Sequence, residues 1–345
     1  MIEIFKRLFG TTAGDAEAGL VVQRQAVQAP PLVMREGTTL PIVNWEAMDQ
    51  FVPVDSDAPG IDAFWTATAR SWLEELRVTL GKPYLIHESG RFLLLSPQEA
   101  RPAKLTLEYV EKTRKRILRL LEGIAAESEL GKVCILVLKD QERYYEYVSN
   151  YHQDDGEYSL SGGMFLQYGY GHFVFVESKI HEIEPTIAHE LTHCLLQHLP
   201  LPAWLNEGIA VNTEHRFCPP GRPLFDPDEM HQKHVNFWNA STIQEFWSGK
   251  SWRRTDDGNM LSYDLAKHFA VFTSEDAAAF RAFANSADMA DGGSAAALEY
   301  LGYPLEHLAE AVLGEGPWRP KPETWGQGTE RGQFRSMAST VRRLQ

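Results

Sequence analysis

The sequence predicts an α+β fold in which a small mixed β-sheet lobe precedes a mainly helical lobe. Strand-like runs alternate with helical patterns between residues 83 and 180, whereas the periodic segments after Glu184 are mainly helical. The 345 residues are 43% hydrophobic and 23% charged. This is an ordinary globular composition, and the chain is long enough to bury a large core.

The two lobes are predicted to form one domain between two irregular segments. Residues 11–60 are rich in Ala, Gly, Gln, Pro and Asp, and we predict that residues 1–60 form an irregular N-terminal extension. Residues 61–313 form the domain, with the sheet lobe at about 83–180 and the helical lobe at about 181–313. Residues 314–345 contain several Pro and Gly and predict a loosely ordered tail.

The elements follow from periodicity and from the residues that break it. One predicted helix, Leu105–Ile124, carries a basic run from Lys112 to Arg119. We interpret this run as a solvated face. Strands are expected at Tyr84–Ile86, Arg91–Leu95, Val133–Leu138, Met164–Gln167 and Phe173–Val176. Helices are expected at Ile61–Leu80, Leu105–Ile124 and near 185–199, 203–215, 260–274, 276–285, 293–301 and 304–312.

The net charge indicates which partners are disfavoured, and the cysteine pattern indicates the cellular compartment. The formal net charge of −14 disfavours nucleic acid as a partner, because phosphate binding needs a cationic face. The three cysteines are widely spaced and form no CxxC pair, which indicates a reducing compartment, and we expect a cytoplasmic protein. The sequence contains no run of about 18 apolar residues, so we expect no transmembrane segment. No feature favours a particular oligomeric state.

The segment His189-Glu190-Leu191-Thr192-His193 matches the pattern HExxH. On a helix, His189 and His193 lie one turn apart on the same face, so both imidazoles can reach one metal ion. Glu190 lies beside them, where it can act as a base. Pro185 is expected in the first turn of this helix, which gives the pattern a helical context.

A second helix is predicted to deliver a third ligand. The Pro200-Leu201-Pro202 segment must end the first helix, and the segment from Ala203 reads as another. If the two helices are antiparallel, His193 lies about 9 Å before the turn and Glu207 about 6 Å after it, at nearly the same height. Two His and one Glu leave a fourth position open for water, which is typical of a catalytic Zn²⁺ site.

These two motifs together resemble a known family. HELTH followed by WLNEGIA (Trp204–Ala210) is similar to the peptidase MA-like branch of the gluzincin zinc metallopeptidases, whose third ligand is the Glu of a WLxEG segment. The resemblance extends from about Arg91 to the helix around Tyr263, a little over half of the chain. It implies a zincin-like fold, a zinc ion on His189, His193 and Glu207, and a peptide or protein substrate.

The sequence departs from the family pattern at three places. Glu207 follows His193 by 14 positions, a short spacing that fits a compact hairpin. Val211 stands where thermolysin-like members carry an Asp, and Glu214 is a possible substitute on the same helix face. The segment Gly162–Leu166 lacks the Glu with which aminopeptidases bind a free α-amine. This absence favours an endopeptidase.

The chemistry implied is metal-assisted hydrolysis of a peptide bond. Glu190 is the expected general base. By resemblance, Tyr263 is the candidate donor to the oxyanion, and a packing Tyr is the competing interpretation; His231, His234 and His268 are weaker candidates.

Two further hypotheses concern activity and its control. A catalytically weak or inactive metallopeptidase-fold module that acts as a binding or scaffold protein remains the alternative, although intact ligands and Glu190 favour an enzyme. An autoinhibitory role for residues 1–60 rests on composition alone.

Overall fold

The structure is a computed structural model that describes residues 29–53, 57–127, 131–151, 163–166 and 169–326. It confirms the α+β class, with one five-stranded mixed sheet and many helices. The expectations for residues 1–28 and 327–345 lie outside the described residues. In the part of the chain that is described, no helix is both long enough and apolar enough to cross a bilayer.

The strands and helices have the following bounds. The strands are β1 (Leu85–Glu88), β2 (Phe92–Ser96), β3 (Val133–Leu138), β4 (Gly163–Leu166) and β5 (His172–Val176). The helices are α1 (Trp45–Met48), α2 (Ala58–Leu80), α3 (Ala100–Leu120), α4 (Gln141–Ser149), α5 (Ile180–Leu196), α6 (Ala203–Phe217), α7 (Pro227–Phe237), α8 (Thr242–Trp247), α9 (Asp257–Thr273), α10 (Ala277–Ser286), α11 (Ser294–Ala296), which continues as a π-helical turn, and α12 (Glu306–Leu313).

The sheet order is β1-β2-β3-β5-β4. Its three central strands are mutually parallel, and the two outer strands, β1 and β4, pair antiparallel with their neighbours. Parallel neighbours need crossover connections, and α3 and α4 lie in those connections. Among the described residues, β4 is an edge strand that pairs with β5 on one side only.

Two hydrophobic cores lie on opposite faces of the sheet, because successive side chains of a strand point to opposite faces. Leu94, Ile135 and Phe173 belong to the core shared with α3, α5 and the helical lobe. Leu93 and Leu136 belong to the core shared with α2 and α4. Strands buried on both faces read as the continuous apolar runs that the sequence shows.

Parts of both terminal segments pack against the domain. Ile42 and Trp45 are buried in the second core, and the indole of Trp72 donates a hydrogen bond of 3.0 Å to the carbonyl of Pro41. In the tail, Trp318 and Trp325 are buried; the carbonyl of Trp318 accepts a bond of 2.7 Å from the indole of Trp247. Composition alone did not reveal these anchors, since a few large apolar residues hold irregular backbone in place.

The helical lobe corrects the sequence prediction in two places. α5 begins at Ile180, so Pro185 lies in the helix interior and not in its first turn. The helices α7 and α8 were not predicted. The α7 helix buries His234 without an apolar stripe, and α8 has six residues, too few for a clear period.

Candidate metal centre

Helices α5 and α6 pack against each other, and the six residues 197–202 join them. The predicted pairing of these two helices is therefore present. α6 also packs closely on α9, and Gly208 makes this possible: a Cβ atom there would lie 2.4 Å from the carbonyl oxygen of Ala266. Three helices thus meet around the side chains that the motifs singled out.

The structure brings His189, His193 and Glu207 together. Oε2 of Glu207 lies 3.3 Å from Nε2 of His189 and 3.5 Å from Nε2 of His193. One ligand atom from each residue lies within 4.8 Å of the other two. The side chains are mostly buried, with 13%, 13% and 21% of their surfaces exposed, so the cluster keeps a small opening to solvent.

Each imidazole is oriented through its other nitrogen. Nδ1 of His189 lies 3.1 Å from Oε2 of Glu214, and Nδ1 of His193 lies 3.1 Å from Oδ1 of Asn206. Both partners are acceptors, so each Nδ1 carries the proton. In the neutral ring, Nε2 then presents its lone pair toward Glu207, which is the tautomer that binds a metal.

The carboxylates of the cluster favour positive charge next to them. Burial lowers the pKa of His189, but the carboxylates of Glu207 and Glu214 outweigh burial and the net pKa lies well above its usual value. The pKa of His193 is raised in the same way, by Glu207 against burial. Burial raises the pKa of Glu207, but the two imidazoles lower it by more than burial raises it. The net pKa is below the usual value, and this carboxylate stays ionised.

The donor set fits a zinc ion. Oε2 of Glu207 is buried and accepts no hydrogen bond of normal geometry from any described residue, an arrangement that is costly without a cation. A tetrahedral zinc with bonds of about 2.0–2.2 Å holds neighbouring ligand atoms about 3.3–3.6 Å apart. The separations of 3.3 and 3.5 Å from the imidazole nitrogens agree with that spacing.

Glu190 lies beside the cluster and is held by the edge strand. Its Oε2 accepts a hydrogen bond of 2.7 Å from the backbone N–H of Phe165 in β4. Burial raises the pKa of Glu190 above the usual value, whereas the imidazoles of His189 and His193 act in the opposite direction. A buried carboxylate with a raised pKa is well suited to accept and return a proton.

Tyr263 is also at the cluster. Its ring centroid lies 6.4 Å from that of His189, and Trp252 packs edge-on against its ring at 6.2 Å. The negative charge of Glu207, together with burial, raises the pKa of Tyr263 well above its usual value, so the phenol stays protonated. A protonated hydroxyl can donate to an oxyanion.

The weaker histidine candidates lie in different surroundings. The buried His234 accepts a bond of 2.9 Å from the indole of Trp238 at Nδ1, so its Nε2 carries the proton and faces Asp264 at 3.1 Å. Both ring nitrogens are therefore engaged. His268 lies on the exposed side of Asp264, at 3.5 Å, and His231 is exposed on α7.

Two contacts of the site were missed from the sequence. Asn206 directly precedes Glu207 on α6. This position could have indicated that its side chain reaches His193 on α5. The N–H of Phe165 has no signal in residue type, because every residue except Pro carries this donor. Glu214 was singled out as a substitute for the Asp absent at Val211, and it contacts His189.

A scan against protein-family models finds no match to this chain, and a search of curated protein sequences finds no significant relative.

Proposed function

We propose that this chain is a zinc-dependent endopeptidase of the gluzincin type. The observation that carries the proposal is the convergence of His189, His193 and Glu207 on one point, with Glu190 held next to that point by a main-chain hydrogen bond. A closed structural zinc site usually has four protein ligands, often cysteines, whereas three ligands leave room for water and substrate.

His189, His193 and Glu207 would hold the metal, and Glu190 would carry the proton. Zinc bound there would polarise the scissile carbonyl and lower the pKa of the attacking water. Glu190 takes a proton from that water and later gives it to the leaving amine, so the carboxylate is regenerated at the end of the reaction. Its raised pKa brings the carboxyl closer to neutral pH and favours both transfers.

Tyr263 and β4 supply the remaining parts of the proposed mechanism. The phenol of Tyr263 donates a hydrogen bond to the carbonyl oxygen as negative charge develops on it. The N–H of Phe165 points away from β5 and toward Glu190, so the side of β4 opposite β5 faces the site. An extended peptide can pair with such an edge. Phe165 offers no carboxylate for a free α-amine, which favours cleavage within a chain.

We propose peptides or proteins of the cytoplasm as the substrates, since the cysteine pattern indicates a reducing compartment.

Metal analysis and a cleavage assay test the proposal together. We expect about one zinc per chain, lost on replacement of His189, His193 or Glu207 by Ala. We also expect cleavage of N-acetylated peptides that stops with a chelator and returns with zinc. Protein without stoichiometric metal after zinc is supplied contradicts the site. Cleavage of unblocked peptides alone contradicts the endopeptidase assignment, and bound zinc without any cleavage favours the binding-module alternative.

A further inference from the structure

A basic stripe runs along the exposed side of α3 in a chain whose net charge is −14. At about 100° per residue, its five cations and one anion fall within a sector about 80° wide. The stripe extends along most of a helix about 30 Å long. We define the basic stripe by its members Arg101, Lys104, Glu108, Lys112, Lys115 and Arg119.

The cations of the stripe are largely unpaired. Lys104 lies 3.7 Å from Glu108, with side chains 76% and 59% exposed, and ion pairs of this exposure hold little energy. The other four cations form no ion pair with any residue in the described part of the chain. By contrast, Arg114 on the inner side of α3 is paired with Glu111 and Glu127 and stabilises the fold.

We propose that the basic stripe docks the protein on an anionic membrane surface. Side chains along one line of a straight helix can touch a plane simultaneously, and the high exposure of Lys104 and Glu108 indicates a convex face without the walls that would grip a peptide. Leu105, 46% exposed, flanks the stripe and adds an apolar contact for the headgroup region. The rest of the chain carries a net negative charge, which an anionic surface repels, so the basic stripe is the face that turns toward the lipid.

Sedimentation with vesicles tests the docking. The full chain should bind vesicles of phosphatidylcholine with about 30% phosphatidylserine, fail to bind pure phosphatidylcholine, and dissociate in about 0.5 M salt. The variant K112E/K115E/R119E should bind at least about 100-fold more weakly, because each cation contributes about fivefold, three together contribute about 100-fold, and each charge reversal adds repulsion.

A matched control separates the stripe from total charge. K82E/K139E/R222E changes the same number of exposed cations outside α3 and should bind close to the wild-type level. Circular dichroism and thermal unfolding establish that both variants are folded. Equal loss in both variants, wild-type binding by the stripe variant, or binding of the wild type to polyglutamate but not to vesicles overturns the proposal.

Discussion

Two acceptors of different charge orient the imidazoles of His189 and His193. Glu214 holds His189 with a carboxylate, and Asn206 holds His193 with an amide. A carboxylate on the outer nitrogen makes an imidazole a stronger metal ligand, so the contribution of Glu214 includes charge as well as orientation.

Replacing Glu214 by Gln removes this charge and keeps an acceptor. We expect zinc affinity to fall by about 10–100-fold, measured by competition with a chromophoric chelator. The exposed Glu299→Gln is the matched control, because it removes one negative charge elsewhere on the molecule. Equal affinities for the wild type and the Glu214 variant would show that the contact does not support the metal.

At the residue scale, the sequence identified the candidate site residues whose side chains are imidazoles or carboxylates. His189, Glu190 and Glu207 stand out because imidazoles and carboxylates at these spacings have few other uses together. The N–H of Phe165 could not be predicted in this way. Its role depends on the position of β4 beside α5, and that position is set by the packing of the sheet on the helix.

At the element scale, the packing of α6 against α9 brings Glu207 and Tyr263 to the same site. Gly208 lies at this contact, where a methyl group would meet the backbone oxygen of Ala266 at 2.4 Å. Backbone in a packed helix cannot move aside as a flexible side chain can, so a larger residue must separate the two helices.

Gly208→Ala is expected to destabilise the protein. Helix propensity alone favours Ala by about 1 kcal/mol, but overpacking costs about 1–3 kcal/mol and the contact at 2.4 Å places this site at the upper end. Urea unfolding should show a net loss of about 1–2 kcal/mol. Gly221→Ala, whose added methyl group meets no atom of the described residues within 4 Å, should change stability little. If Gly208→Ala were more stable than the wild type, α9 would have to move away from the added methyl group at little cost.

The elements that could be predicted are those with a regular buried face. The pair α5 and α6 has this property, and the prolines between them mark the turn. The missed α7 does carry a start signal, because Asp226 and Glu229 form a capping box around Pro227. That local signal was outweighed by the absence of an apolar stripe.

At the scale of the whole molecule, a histidine in the second core couples stability to pH. Nδ1 of His172 donates to the carbonyl of Tyr170, and Nε2 accepts from the hydroxyl of Tyr147, both at 2.7 Å. Burial lowers the pKa of His172 to about 4, while the bond to Tyr170 acts in the opposite direction. The neutral ring is therefore the one that the core accommodates.

The contribution of His172 to stability should be lost as the pH falls from about 6.5 toward 4. In this window the unfolded chain binds a proton at His172 and the folded chain does not. This difference lowers the free energy of unfolding by about 3 kcal/mol at the lower end of the window. The stability is fully present above the unfolded pKa. Urea unfolding across this range should show a shallower pH dependence in His172→Gln than in the control His231→Gln. Identical slopes would contradict the assignment.

The sheet order could be predicted only in part. The strands β4 and β5 follow each other closely in sequence, and they are paired neighbours in the sheet. Nothing local in the sequence specifies that β5, and not β4, pairs with β3, because strand order depends on contacts between segments that are distant in the sequence. The edge position of β4, on which the proposed substrate pairing rests, comes from the structure.

The rate of peptide cleavage by zinc-loaded Glu190→Gln tests the proposed chemistry most directly. Gln has nearly the same size as Glu but cannot take a proton from water, and Glu190 is not a metal ligand, so zinc should remain at about one per chain. We expect hydrolysis of an N-acetylated, internally quenched peptide to fall by a factor of about 10²–10⁴ relative to the wild type. A variant that keeps its zinc and cleaves as fast as the wild type would contradict the role of Glu190 and, with it, the proposed mechanism.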